Sequence, residues 1–160
     1  MNNVLYEDNH IIVVEKKVNI PVCEDDSKDE DLLNIIKKYL KEKYNKPGNV
    51  YLGLIHRLDR PVGGVMVFAK TSKAASRLSN EIRLNNIEKR YMALVHNHTK
   101  KSEVLVDKLL KNEKTNTSFV DKNGKESKLE YNLIEYRGNK SLLDINLITG
   151  RHHQIRVQLS

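Results

Sequence analysis

The 160-residue sequence has a single cysteine, Cys23, and no apolar segment long enough to span a membrane. One cysteine excludes an internal disulfide framework and fits a reducing compartment. No activating partner lies near Cys23 in the sequence, which argues against a nucleophilic thiol. The N-terminus also lacks the apolar core of a secretory signal peptide. We therefore expect a cytoplasmic protein that makes no contact with a membrane.

Several signatures of cofactor and hydrolase chemistry are missing as well. The sequence has no P-loop, no glycine-rich dinucleotide fingerprint and no nucleophile elbow around a serine. No cysteine or carboxylate cluster completes a metal-binding set, and the rings of the adjacent His152 and His153 are expected to diverge. The candidate ligands are His56, Asp59, His96, His98, His152 and His153. We predict neither a metal site nor a nucleotide cofactor.

Acidic residues are outnumbered by basic ones, 21 to 28, which gives a formal net charge of +7. Such an excess favours a polyanionic partner, although a solvated basic surface explains it equally well. The hydrophobic fraction of 39% is sufficient for a buried core. The chain shows no repeat, low-complexity tract or linker, and we expect one domain over residues 1–160.

Apolar periodicity predicts two helices. The first follows a capping box, Ser27-x-x-Glu30, carries Leu32, Ile36 and Leu40 at helical spacing, and ends at Pro47-Gly48. The second begins at Thr71 or Ser72 and stops near Asn85-Asn86.

The remaining apolar segments have the short, alternating pattern of strands. They cover residues 11–14, 90–95, 104–110, 129–133 and 143–147, with Lys16 already in a loop. Asn123-Gly124 predicts a two-residue hairpin, and residues 137–140 predict a further turn. Strands outnumber helices, which indicates an α+β fold with a mostly antiparallel sheet.

The segment from Tyr51 to Lys70 is the most informative part of the chain. Two apolar runs, interpreted as buried strands, flank a polar cluster bounded by Pro61 and Gly63-Gly64. The cluster consists of His56, Arg57, Asp59 and Arg60. A carboxylate in this position can act as a nucleophile, a general base, a metal ligand or one half of a structural ion pair with Arg57 or Arg60.

The last twelve residues, 149–160, have an ambiguous period. Ile155, Val157 and Leu159 alternate as in a strand, whereas Thr149 could cap a helix on which His152 and Arg156 lie one turn apart. In both cases Arg156 lies on a polar side.

Three segments together resemble the motifs of the RluA-type pseudouridine synthases. They are His56-Arg57-Leu58-Asp59 with Phe68-Ala69-Lys70-Thr71, then Lys89-x-Tyr91-x-Ala93-Leu94-Val95, then Thr149-Gly150-Arg151-x-His153-Gln154-Ile155-Arg156-Val157. The resemblance extends over nearly the whole chain. It implies a bent, mainly antiparallel mixed sheet with flanking helices, a helix from His152 onward, no cofactor and a cleft that binds RNA.

The resemblance also implies roles for individual residues. Asp59 matches the essential aspartate, Arg156 the arginine that pairs with it, and Tyr91 the tyrosine that packs against the target base. Arg57 matches a residue that contacts RNA and holds the flipped-out nucleotide. Further RNA contacts are expected from His56, Arg60, Arg151, His153 and Gln154.

This resemblance implies an isomerase that converts uridines of structured ribosomal or transfer RNA to pseudouridine. We expect a monomer, although the sequence leaves the oligomeric state open. Members of the family continue beyond the position of Ser160. We therefore expect a catalytic domain without its C-terminal portion and without a separate N-terminal RNA-binding domain. The alternative is a module that binds RNA but is inactive because this portion is missing.

Overall fold

The computed structural model describes residues 3–160. They belong to two compact units, of which the first ends at Leu84 and the second begins at Asn85. The elements of the first unit are β1 (Val4–Glu7), β2 (Ile11–Lys16), α1 (Leu32–Lys43), β3 (Gly53–Leu54), β4 (Gly64–Ala69) and α2 (Ser72–Arg83). Those of the second are β5 (Arg90–His96), β6 (Ser102–Asn112), β7 (Thr117–Val120), β8 (Lys125–Arg137), β9 (Lys140–Leu147) and α3 (Gln154–Gln158).

The first unit contains a four-stranded antiparallel sheet in the order β1-β2-β4-β3. In its register Val14 lies opposite Met66 and Lys16 lies opposite Gly64. The two predicted strands around the polar cluster are confirmed, although β3 has only two residues. Strand β2 extends through Lys16, so the prediction of a loop is wrong for this residue and holds from Lys17 to Pro21.

The core of this unit forms where one face of the sheet meets the apolar stripe of α1. Alternate residues of the central strands point to the same side, and residues of α1 spaced by four occupy one helix face. The fully buried members include Ile12, Val14, Leu32, Ile36, Leu40, Met66 and Phe68. Burial of a side chain such as Phe68 contributes about 1.5–3 kcal/mol to stability.

Both helices of the first unit begin at a side-chain cap. Asp31 Oδ1 accepts a hydrogen bond from the Asn34 N–H at 2.9 Å, and Thr71 Oγ1 accepts one from the Ala74 N–H at 3.1 Å. Thr71 confirms the predicted start of α2. The predicted capping box at Ser27 is wrong, because this hydroxyl donates to the Asp25 carboxylate four residues before the actual cap.

The second unit contains a five-stranded antiparallel sheet in the order β5-β9-β8-β6-β7. Strands β8 and β9 join through a two-residue loop, since Arg137 lies opposite Lys140. Gly138 and Asn139 have φ values of 56° and 59°, as a tight hairpin requires, and both residue types tolerate this left-handed conformation. The predicted turn at residues 137–140 is therefore confirmed.

The hairpin predicted at Asn123-Gly124 is wrong. Strands β7 and β8 do not pair with each other; both pair with β6, and Leu109 lies opposite Val120 as well as Lys125. Residues 121–124 form a turn in which the Gly124 N–H donates to the Asp121 carbonyl at 2.9 Å. Gly124 lies so close to Leu109 that a Cβ atom would be 2.5 Å from its carbonyl carbon. The glycine therefore serves a close backbone approach.

One face of this sheet forms the core of the second unit, and α3 packs on it. The buried residues are Leu129, Tyr131, Leu143, Ile145 and Leu147, with Ile155 and Leu159 packed against them. The helix favoured for the last segment is confirmed and begins at Gln154. The α+β class with antiparallel strands is confirmed too, whereas a single catalytic domain over residues 1–160 stays a prediction. Within residues 3–160 none of the helices combines the length and apolar character needed to cross a membrane.

Candidate active site

The connection between β3 and β4, residues 55–63, carries four of the predicted site residues: His56, Arg57, Asp59 and Arg60. Asp59 is half-buried, and its backbone carbonyl accepts a hydrogen bond from the Val62 N–H at 3.0 Å, which closes a tight turn. We call residues 59–62 the Asp59 turn. The turn leads into β4 through Gly64, whose φ of 147° suits glycine and strains other residues.

His56 connects this loop to the adjacent strand. Its Nε2 atom accepts a hydrogen bond from the Val67 N–H at 3.2 Å, so the ring carries its proton on Nδ1. Burial lowers the pKa of His56, which favours the neutral ring that this contact needs. The geometry therefore gives His56 a role in fixing the loop, and its predicted contact with RNA stays a prediction.

Arg60 is engaged by an acidic segment, residues 24–31. Its guanidinium forms ion pairs with Asp25, at 3.3 Å, and with Asp29, and donates to Ser27 Oγ at 2.8 Å. Arg57 is exposed on the same loop. Of the two cations beside Asp59, Arg60 therefore binds carboxylates of its own unit, and Arg57 presents its side chain to solvent.

Lys16 is a component of this region that the sequence interpretation missed. It is only 1% exposed, and its Nζ atom donates to carbonyl oxygens of the Asp59 turn. The signal was present in the sequence, because Ile12, Val14 and Lys16 alternate along one face of β2. A lysine in the third inward position of a buried strand requires buried polar partners.

In the second unit, Tyr91 lies on β5 opposite Ile145 of β9. Its side chain is half-buried and packs against the core cluster of this unit. The neighbouring Met92 points to the other face of the sheet and is 67% exposed. Strand alternation thus sets the position of Tyr91, which offers an aromatic face and one hydroxyl group.

The segment that leads into α3 is organised by Gln154, which is 2% exposed. Its Oε1 atom accepts hydrogen bonds from the Thr149 hydroxyl at 2.8 Å and the Arg151 N–H at 3.0 Å. Its Nε2 atom donates to Gln158 Oε1 at 2.9 Å, and Gln158 donates to Asp107 Oδ2 at 2.7 Å. This amide network fixes the helix on the sheet. The predicted contact of Gln154 with RNA stays a prediction.

Arg156 is exposed on α3, and the residues before the helix adopt an unusual conformation. His153 has a φ of 52°, and His152 Nδ1 lies 2.9 Å from Ser118 Oγ. The two histidine rings have centroids 3.7 Å apart with an angle of 33° between their planes. The expectation that these rings diverge is therefore wrong, because the left-handed backbone at His153 turns them toward each other.

The predicted site residues thus form two groups. In the first unit, His56, Arg57, Asp59 and Arg60 share one loop; in the second, Arg151, His153, Gln154 and Arg156 share the α3 segment, with Tyr91 on β5. Within residues 3–160 no three His, Cys, Asp or Glu side chains come together as possible metal ligands. The catalytic and RNA-binding roles of the two groups stay predictions.

Comparison with known proteins adds independent information. A family model described as RNA pseudouridylate synthase matches residues 10–160. Ribosomal large subunit pseudouridine synthase C of Buchnera aphidicola subsp. Schizaphis graminum is 32% identical over 119 residues, which cover 71% of this chain and 36% of that protein. The same enzyme of subsp. Acyrthosiphon pisum is 35% identical with equal coverage, 71% and 36%.

This chain therefore spans about a third of the length of these relatives. Among solved structures, human RNA pseudouridylate synthase domain containing 4 matches 99% of this chain and 63% of its own, with a TM-score of 0.83 and 22% identity. A second human protein, RNA pseudouridylate synthase domain containing 1, has a TM-score of 0.75 and 20% identity. The match covers 99% of this chain and 64% of that protein's chain. The fold is thus shared with both. Because the family model matches nearly the entire sequence, the chain belongs to the RNA pseudouridylate synthase family.

Proposed function

We propose that this chain provides the catalytic carboxylate of an RNA pseudouridine synthase, and that this carboxylate is Asp59. The family match over residues 10–160 carries the proposal. The local structure supports it, because Asp59 lies on a tight turn next to two paired strands. A half-buried carboxylate on a rigid loop is suited to chemistry on a bound substrate.

The reaction exchanges one glycosidic bond for another. The bond between uracil N1 and ribose C1′ breaks, the base rotates, and a bond from C5 to C1′ forms. The C5 hydrogen leaves as a proton, and N1 is protonated. Asp59 acts at the sugar, either by attacking C1′ or by removing a proton from the ribose. One carboxylate can fulfil either role.

The other predicted residues act on the RNA and on the carboxylate. Arg156 is the proposed charge partner of Asp59, and the aromatic face of Tyr91 stacks on the target base. Arg57 holds the flipped-out nucleotide, because a base inside a helical stack is inaccessible to the carboxylate. The positive net charge of +7 supplies phosphate contacts that position the RNA without reading its sequence.

We further propose ribosomal RNA as the substrate, ahead of transfer RNA, because the named relatives are ribosomal large subunit enzymes. The remaining proposals are a monomer and a cytoplasmic location, the latter consistent with the single cysteine.

The test is release of tritium from RNA labelled at uridine C5, since this hydrogen leaves during the reaction. We expect the wild-type chain to release tritium from ribosomal RNA transcripts and the Asp59→Asn variant to release none above background. The asparagine keeps the side-chain size and removes the charge. Asp26→Asn, at an exposed acidic residue of the same unit, is the matched control and should retain full activity.

Equal tritium release by the wild type and Asp59→Asn would remove Asp59 from its proposed role. Salt-sensitive RNA binding by the wild type without tritium release would contradict the enzymatic proposal and favour a module that only binds RNA.

A further inference from the structure

A row of basic side chains crosses one end of the second unit's sheet. His96 on β5 lies opposite Lys140 on β9, and Lys140 lies opposite Arg137 on β8. Residues directly opposite each other in an antiparallel sheet point to the same face, so these three side chains form one line across three adjacent strands. All three are exposed. We call them the basic row.

The basic row is electrostatically unfavourable for the protein alone. Directly opposite residues have Cβ atoms about 4.5–5.5 Å apart, and like charges at this separation destabilise a sheet. Within residues 3–160 neither Arg137 nor Lys140 forms an ion pair, although Glu135 lies on the same strand two residues before Arg137. Glu103 of the adjoining strand β6 is already bound to Lys100 at 2.5 Å. The two positive charges are therefore available to an anion from outside the chain.

Hydrogen bonds fix the backbone beneath the row. The Asn97 N–H donates to the Asn139 carbonyl at 2.9 Å, which joins the loop between β5 and β6 to the hairpin of β8 and β9. Ser141, which is 0% exposed, donates to the Asn97 carbonyl at 2.7 Å and accepts from the Thr99 N–H at 3.2 Å. The basic row thus projects from a rigid base, and a preorganised surface loses little freedom when it binds a partner.

The row lies apart from the predicted binding groups of the same unit. Tyr91 and His96 belong to the same strand, β5, and the five residues between these positions correspond to about 17 Å of strand. Strand alternation places Tyr91 on the opposite face of the sheet. The α3 segment follows β9 at the end away from Lys140. A single nucleotide next to Tyr91 therefore does not reach the row, whereas a folded RNA that passes around this end of the sheet does.

We propose that the basic row is a second RNA-binding surface, which holds the phosphate backbone of a folded ribosomal RNA at a distance from the modified uridine. The inference rests on the proposed function. Ammonium and guanidinium groups bind phosphate well, and such contacts position an RNA without reading its bases. An arriving phosphate also offsets the repulsion between Arg137 and Lys140, so the contact contributes more than it would at an isolated lysine. The excess of positive charge over the whole chain, +7, favours the same partner.

The experiment measures binding of a large-subunit ribosomal RNA transcript to two double variants of the full chain over a range of salt concentrations. Arg137→Gln with Lys140→Gln removes two charges of the row, and Lys38→Gln with Lys41→Gln removes two from exposed positions of α1 as the matched control. For the row variant we expect Kd to rise about 30-fold at roughly 0.15 M salt, and the slope of log Kd against log salt to fall by about 1.8, as loss of two phosphate contacts requires. The control should bind within about threefold of wild type, because salt screens charges that lie outside the contact.

The free protein gives a second readout with the opposite sign. Lys140→Gln removes one half of the repelling pair, so its urea midpoint should be higher than that of the wild type although its RNA affinity is lower. Lys140→Arg retains the charge and should retain the affinity. A lowered midpoint in Lys140→Gln would overturn the inference, because the cations would then stabilise the hairpin by themselves.

Equal RNA affinity of the row variant and the wild type would overturn the inference in favour of an acidic protein as the partner. Equal weakening by both double variants would overturn it too, since that is the result expected of net charge alone. These measurements need binding and not turnover. Absence of tritium release by the wild type contradicts the proposed function alone, because the Kd values still decide whether the basic row binds RNA.

Discussion

The two units differ in the kind of polar side chain that they bury. Among the described residues, the buried polar side chains of the first unit are ionisable. They are Lys16, which is 1% exposed, and Asp31, which is 3% exposed. Those of the second unit are neutral: Ser127 and Ser141 at 0%, and Gln154 at 2%. Charged groups fix the Asp59 turn and cap the N-terminus of α1, whereas amide and hydroxyl groups fix α3 on its sheet.

This difference has a consequence for stability. A buried charge depends on its protonation state and on its partner, and it is costly when either is lost. Hydrogen bonds between neutral groups, such as those that Gln154 makes, depend on geometry and not on a charge. We therefore expect acid and charge-removing substitutions to weaken the first unit. Substitutions that remove the Gln154 amide should weaken the second unit, whose network contains a carboxylate only at its far end, Asp107.

The largest effect is expected at Glu7, whose side chain is 7% exposed and forms ion pairs with Lys70 at 2.7 Å and Lys43 at 2.8 Å. Glu7→Gln should lower the free energy of unfolding by about 3 kcal/mol at pH 7, because Lys70, itself nearly buried, loses its charge partner. Urea titration followed by circular dichroism measures this. A loss below about 1 kcal/mol would contradict the buried-charge interpretation.

The same residue predicts a pH dependence. Burial by itself raises the pKa of Glu7, but hydrogen bonds from Lys43, Lys70 and Tyr44 lower it from 4.5 to about 2. A carboxyl with a lowered pKa contributes its full stability above pH 4.5 and loses it as the pH falls toward 2. Protection of β2 amides should therefore decrease over this range more than that of β9 amides, and Glu7→Gln should abolish the difference.

A smaller, pH-independent effect is expected at Gln154. Gln154→Leu keeps a similar volume but removes one hydrogen bond each from Thr149, the Arg151 N–H and Gln158. We expect a loss of about 2 kcal/mol in unfolding free energy, equal at pH 6 and pH 8. Amide exchange should show the loss in α3 and not in β2. A pH-dependent loss would remove the distinction between the units.

The cap of α1 should contribute less. Asp31→Ala removes the acceptor for the Asn34 N–H at 2.9 Å and should cost about 1 kcal/mol. Asp31→Asn retains an acceptor oxygen and should recover most of this loss in the same urea titration. Equal losses for both variants would show that the charge of Asp31, rather than its hydrogen bond, stabilises the helix.

The smallest effect is expected where charges of the first unit are exposed. Asp29, whose side chain is 55% exposed, pairs with Arg60, whose side chain is 38% exposed. Asp29→Asn should leave the urea midpoint unchanged, because solvent screens such pairs. A clear destabilisation would show that the acidic segment supports the Asp59 turn.

The sequence predicted the parts of the fold in which local and tertiary preferences agree. Thr71 begins α2 as predicted, and Gly138-Asn139 forms the predicted tight turn, because each residue type suits the local backbone. The errors arise from a competing local contact in one case and from a distant contact in the other. Ser27 binds Asp25 in place of a capping bond, and Gly124 packs on Leu109 in place of forming a hairpin.

The candidate site shows the same division. Its loop, with Asp59 between two apolar runs, was evident from the sequence. The partners of Lys16 were not, because the carbonyl groups of the Asp59 turn that it binds lie 43 to 46 residues away. The direct partners of Gln154 lie within five residues, but its network continues through Gln158 to Asp107, which is 51 residues from Gln158.

By itself, the order of residues determined the antiparallel α+β class, the helix and strand types, and the motifs of an RNA-modifying family. The fold class and the element types depend on periodicity and on local backbone preferences, which are properties of neighbouring residues, whereas the motifs were identified by their resemblance to a known family. Only the tertiary structure decided that a lysine enters the core to bind the Asp59 turn and that a glutamine organises α3. Desolvation makes a buried lysine unfavourable until its remote hydrogen-bond partners are in place, and pairing across long sequence separations is not encoded in any short segment.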